Sequence, residues 1–243
     1  MSAFDPHRPS SRAGHPPVSL WFLSPLFFAA VCLSHLTLLR LPYFWDEGGY
    51  YIPAAWDFFR TGSLIPITTA TNAHPPLPSI LLAGWWRLSG FVPIGTRIFV
   101  CIVAAAALLA VFRLARNLLG TPAAIATTLL TAVYPIWFAQ STLAHADIFA
   151  TAFTLWGLSF YFEAIDNSAT TNPGGPSSPV SSERVGYSRP TRTALLRTTA
   201  MFSLAALSKE TAIVTPAALA LWEAFLLVRN PRVSTQLRHH AQW

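Results

Sequence analysis

An all-α polytopic membrane bundle of about six spans is the fold class this sequence predicts. Three observations carry it. Apolar residues make up 53% of the chain and charged residues 11%, whereas a soluble domain carries about 25% charge. The apolar residues run continuously over one helix-length after another, not in the every-second-residue alternation of a membrane β-barrel strand. Between these runs the chain collects arginine, proline and aromatic residues, the composition of span ends.

The elements follow in order. Residues 1–17 are polar and proline-rich and read as a disordered cytoplasmic N-terminus. Val18 to Leu39 is an apolar run of 22 residues, about what a helix needs to cross a bilayer. It has no small-residue cleavage site and reads as a retained anchor. Pro76 to Phe91 is apolar but spans only 16 residues. Trp85, Trp86 and Arg87 near its end favour the headgroup level, so it is expected to lie in the interface. The further spans are Ile98 to Leu119, Pro122 to Ala139, Ile148 to Ala164, Ala194 to Leu207 and Ala212 to Val228. Of these, Ala194 to Leu207 is the shortest and holds Arg197. The whole module is placed at 18–228, with 167–190, rich in Ser, Thr, Pro and Gly, as a cytoplasmic linker within it. Residues 229–243 read as a basic cytoplasmic tail of a truncated chain.

Charge orients the bundle. With Pro76 to Phe91 kept out of the spans, eleven basic residues fall inside and five fall outside, the five being Arg40, Arg60, Arg87, Arg97 and Lys209. The positive-inside rule then puts both termini in the cytoplasm. The net charge of +6 is scattered between spans, so nucleic acid is not an expected partner. Cys32 and Cys101 lie within apolar runs and imply neither a disulfide framework nor a zinc site.

Under this topology the outer face gathers the chemistry. Asp46 and Glu47 follow the first span, and His74-Pro75-Pro76-Leu77 opens the interfacial segment. His145 and Asp147 lie between the third and fourth spans, and Lys209-Glu210 between the fifth and sixth. Ionisable residues at a membrane boundary are costly to desolvate and point to function. Each has a plainer reading: Pro-flanked His74 as a helix start, Asp147 as an N-cap, Lys209 as a snorkelling side chain, and the aromatics around Tyr50 and Tyr51 as an interfacial belt. The shared face is what favours a site. Such a set suits group transfer from a lipid phosphate, a carboxylate taking the proton of an acceptor hydroxyl and a cation steadying the phosphate that leaves.

The acidic pair after the first span, His-Pro-Pro-Leu, an Asp opening a later span and the Ser-Lys-Glu turn resemble the GT-C membrane glycosyltransferases. Within them the pattern is similar to protein O-mannosyltransferases, lipid A aminoarabinose transferases and their RgtA/B/C/D-like bacterial relatives, over about Leu20 to Val228. The resemblance implies Asp46 as the catalytic carboxylate with Glu47 in support. It implies His74, Lys209 and Arg97 near the donor phosphate, and Asp147 and Glu210 as supporting acids. The donor it implies is a polyprenyl-phosphate sugar, with inversion at the anomeric carbon and a protein, lipid or polysaccharide acceptor, in a bacterial plasma membrane. No cofactor is expected, and a metal is disfavoured, although Asp46, His145 and Asp147 offer O and N ligands. Relatives usually carry more spans, so activity of this chain alone is in question. Two alternatives stand beside this reading: a non-catalytic member of the same fold, and a transporter. Transport is disfavoured because the charges sit at span ends and no internal repeat is visible.

Overall fold

Proline opens one helix after another in this chain. In the computed structural model, which describes residues 20–70, 74–170 and 191–229, α2 (Ile52–Thr61) and α3 (Leu77–Ser89) carry Pro53 and Pro78 in their first turns. The same holds for Pro93 in α4 (Pro93–Leu119), Pro122 in α5 (Thr121–Val133) and Pro135 in α6 (Pro135–Gln140). The first turn has no intrahelical acceptor for an N–H, so losing it there costs nothing. The other helices are α1 (Leu20–Ser34), α7 (Ala146–Thr170), α8 (Arg192–Ser208) and α9 (Val214–Arg229). Short 3₁₀ turns at Leu38–Arg40 and Glu210–Ile213 and a π-helical turn at Glu47–Tyr51 complete the set. Every regular element among the described residues is helical.

Pro93–Leu119, Ala146–Ile165 and Glu210–Arg229 are long and apolar enough to cross a membrane; Phe22–Ser34 and Thr121–Val133 are apolar but shorter. The expected first span ends at Ser34, before a turn around His35. The expected span Pro122 to Ala139 is broken at Tyr134, which is extended because Pro135 follows it. The tails 1–17 and 230–243, and the linker beyond Thr170, lie outside the described residues.

At the centre stands α4, against α1, α3, α5 and α7. Its inward face is small, with Cys101, Ala104 and Ala107 fully enclosed. Small side chains let membrane helices approach closely where no hydrophobic drive operates between them. The same device joins α7 to α8, where a Cβ on Gly157 would stand 2.8 Å from the ring of Phe202. Trp86, read as a headgroup-level aromatic, is 1% exposed. It packs between α3 and α4 and donates its Nε1–H to Thr96 Oγ1 at 2.8 Å. A tryptophan whose N–H finds a buried acceptor has no need of the interface.

Candidate active site

The site begins with a backbone anomaly. Trp45 has a φ of 50°, the one non-glycine residue at positive φ among those described. Left-handed backbone is costly for a residue with a Cβ, of order 1–3 kcal/mol, and clusters at functional positions. A π-helical turn then runs from Glu47 to Tyr51, another local irregularity frequent at functional sites. These two features bracket the acidic pair, and the pair diverges. Asp46 is exposed, without a hydrogen-bond or ion-pair partner among the described residues. Glu47 is wholly enclosed.

Glu47 and Arg97 form a buried knot. Arg97 on α4 donates to Glu47 Oε2 at 3.0 Å, Leu41 O at 3.1 Å, and Pro42 O and Thr142 O at 2.8 Å. The other oxygen of Glu47 accepts from Ala144 N at 2.8 Å. Two irregular stretches, 41–47 and 142–144, are thereby tied to one point on α4. Arg97 was expected near the donor phosphate; here its guanidinium is 1% exposed and directed at four protein oxygens. Burial leaves it a positioning role.

Around Tyr51 the remaining candidates converge. Its ring stacks on His74 at 5.7 Å and lies 5.5 Å from the ring of His145. Burial, reinforced by the charge of Asp147, pushes the Tyr51 hydroxyl up to about 12, with Asp46 and Glu210 adding to it. His74 Nδ1 lies 3.1 Å from Glu210 Oε2, and Lys209 Nζ donates to Asp147 Oδ1 at 2.6 Å. Both pairs are partly exposed. His145 is held below the ordinary imidazole range by burial, against the pull of Glu47, Asp46 and Asp147. Its Nε2 is buried without a hydrogen-bond partner. Asp46, Glu47, Asp147 and Glu210 against Arg97 and Lys209 leave the cluster with an excess of negative charge. Among the described residues no group of three or more His, Cys, Asp or Glu side chains is arranged to hold a metal ion.

Beside Tyr51 and His74 opens a cleft of about 280 Å³, walled by Phe58, Ile65, Pro76 and Ser79. Its outer wall is the loop after α2, which begins at Gly62 in left-handed backbone (φ 73°). Asp57 pins this loop, accepting from Ile67 N at 2.6 Å, Thr68 N at 2.8 Å and Thr68 Oγ1 at 3.0 Å. Thr69 Oγ1 donates to Gly49 O at 2.6 Å and couples the loop to the π turn.

Sequence reasoning treated Tyr51 as belt aromatic and passed over Asp57 and His35. The signal for Asp57 was present, a carboxylate eleven residues before a Thr-Thr pair past a glycine turn. His35 is 3% exposed and lies 2.8 Å from Phe138 O through Nε2, joining the end of α1 to α6. Nothing local marks that long-range contact.

Comparison with known proteins bears on this geometry. Residues 73–172 match the family model described as dolichyl-phosphate-mannose-protein mannosyltransferase. The stretch includes His74, Arg97, His145 and Asp147 and leaves out Asp46, Glu47, Lys209 and Glu210. The polyprenol-phosphate-mannose–protein mannosyltransferase of Corynebacterium glutamicum is 37% identical over 98 residues, covering 37% of this chain. The match spans 18% of that relative's length. No solved structure matches the chain. Through the segment 73–172 the chain is similar to the dolichyl-phosphate-mannose-protein mannosyltransferases, and its described residues form an all-helical fold with helices long and apolar enough to cross a membrane.

Proposed function

We propose that this chain carries the catalytic corner of a transferase that moves a mannosyl-type sugar from a polyprenyl phosphate to an acceptor hydroxyl at the outer membrane face. One observation carries the reading. Of the four carboxylates in the cluster, Glu47 is bound to Arg97, Asp147 to Lys209 and Glu210 to His74. Asp46 alone is left exposed and unpartnered among the described residues. A base must be unoccupied and reachable, and Asp46 is both.

In the reaction, Asp46 takes the proton of the acceptor hydroxyl as that oxygen attacks the anomeric carbon from the face opposite the phosphate. The bond from carbon to phosphate oxygen breaks, its electron pair leaves with the polyprenyl phosphate, and the anomeric centre inverts. Lys209 and His74 are the cationic and hydrogen-bonding groups assigned to that phosphate. The relative's name, with its polyprenol-phosphate-mannose donor and protein acceptor, supports this substrate pair.

The test is transfer from radiolabelled polyprenyl-phosphate mannose in membranes containing the full chain, with protein and lipid acceptors supplied. Asp46→Asn should lower transfer by about 10²–10⁴-fold, the usual effect of losing a general base. A variant within about threefold of the parent removes Asp46 from the role. A second reading, a non-catalytic member of the fold, is favoured by the ion pairs that already occupy Lys209 and His74. Donor binding without transfer to either acceptor would select it.

A further inference from the structure

At the opposite end of the bundle from Asp147 and Lys209 lies a second polar layer that the transfer reaction does not use. On α7, Glu163 is 16 residues beyond Asp147, or roughly 24 Å along the helix at 1.5 Å per residue. Arg113 of α4, itself 16 residues past Arg97, pairs with Glu163 there. Arg197 of α8 reaches the same level. The guanidinium of Arg113 lies 4.7 Å from the ring centre of Phe160, and that of Arg197 lies 5.9 Å from it. Two cations thus lie near one ring, and one of them is paired with the carboxylate of Glu163. Arg197 has no hydrogen bond or ion pair among the described residues and is exposed.

Between these groups is a cleft of about 110 Å³ lined by Phe160, Glu163, Thr191, Thr193, Ala194 and Arg197. That is several times the roughly 30 Å³ share of one water molecule. Thr191 Oγ1 accepts from Ala194 N at 3.3 Å, so its own O–H remains to be donated. Glu163 would repel an anion, but Arg113 neutralises it. The balance that remains is one positive charge on Arg197 with two hydroxyls beside it.

We propose that this cleft binds the phosphate of an anionic lipid, with Arg197 as its charged ligand and Thr191 and Thr193 as hydroxyl donors. The inference does not depend on the transferase reading. A phosphate matches the site's chemistry: it takes a guanidinium and neutral O–H donors together. A lipid matches its place. The cleft lies at the end of α7, which is long enough to span a membrane, where α7 meets the first turns of α8, and basic pockets between membrane helices recognise anionic headgroups. An inorganic phosphate ion shares the chemistry but gains nothing from the surrounding bilayer.

The experiment is thermal unfolding of the full chain purified in dodecyl maltoside, followed by tryptophan fluorescence. Phosphatidylglycerol, phosphatidylcholine or inorganic phosphate is added in turn. Phosphatidylglycerol should raise Tm by about 5 °C over phosphatidylcholine, the scale of a ligand well above its Kd. Arg197→Gln should abolish most of that shift, Arg197→Lys should keep part of it, and Arg229→Gln, which removes an equal charge outside the cleft, should leave it intact. Equal loss in Arg197→Gln and Arg229→Gln would reduce the effect to bulk charge and overturn the site. So would an undiminished shift in Arg197→Gln, or no shift in the parent. Inorganic phosphate reproducing the whole shift would overturn the lipid as its source.

Discussion

Glu47 and Arg97 meet 3.0 Å apart with neither side chain reaching solvent, one residue away from an exposed Asp46. The adjacent acids therefore answer to different tests.

Removing one partner of a buried ion pair leaves a bare charge in a low-dielectric place and costs about 3–5 kcal/mol. Glu47→Gln and Arg97→Met should each lower Tm markedly in detergent. Asp46→Asn should melt with the parent while losing transfer. Equal Tm for Glu47→Gln and parent would contradict the positioning role.

Lys209 is the single lysine in the chain, and it holds Asp147 at 2.6 Å. Lys209→Ala should weaken retention of polyprenyl-phosphate sugar by about tenfold or more, on the scale of a lost charge-assisted hydrogen bond. Lys209→Arg should recover only part, since a planar guanidinium does not replace a compact ammonium. His74→Ala should weaken it further. If both alanine variants retain donor like the parent, the phosphate is held elsewhere.

Asp57 governs a loop and not the bundle. Burial pushes its carboxyl up, but hydrogen bonds from Thr68 and Ile67 outweigh that, with Arg60 assisting, and hold it below the usual value. A depressed carboxyl contributes stability above its unfolded pKa of about 3.9 and loses it as pH falls through the folded value. The loop should therefore loosen in acid below about pH 4. Asp57→Asn should loosen it at neutral pH, seen as faster amide exchange over residues 63–69. Unchanged exchange at Ile67 and Thr68 would count against the pin.

His145 gives the pH signature of the centre. Burial depresses its pKa, so the folded chain keeps a neutral imidazole where the unfolded chain binds a proton near pH 6.5. That stability is present above about pH 6.5 and is lost as pH falls through the folded value. Tm should decline as pH falls below about 6.5 in the parent and less steeply in His145→Gln. Parallel declines would show that another group titrates there.

How much of this was legible beforehand varies from residue to residue. The runs behind α4, α7 and α9 were readable because 17 to 22 mostly apolar residues admit few alternatives, and all three are long enough to span; α1 and α8 are shorter helices. The break at Tyr134 was also written in Pro135, although the run across it looked continuous. The gathering of Asp46, His74, Asp147 and Lys209 followed from their places at span ends. The divergence of Asp46 from Glu47 did not follow. It depends on the left-handed Trp45 and the π turn, and nothing in Trp-Asp-Glu-Gly-Gly announces either. Arg97 looked like any boundary arginine, because its four oxygen partners come from segments up to 56 residues away.

One consequence concerns what can move. α7 is fastened near both ends: Asp147 to Lys209, and beyond it Glu163 to Arg113 and Tyr161 to Glu223. Axial slippage by a single residue, about 1.5 Å, would put all three attachments out of step together. The helix behaves as a strut under a fixed load, unable to ratchet past its neighbours. Breathing that admits a substrate then belongs to the other side of the centre, where α2 and α3 meet the cleft and the loop hangs on Asp57.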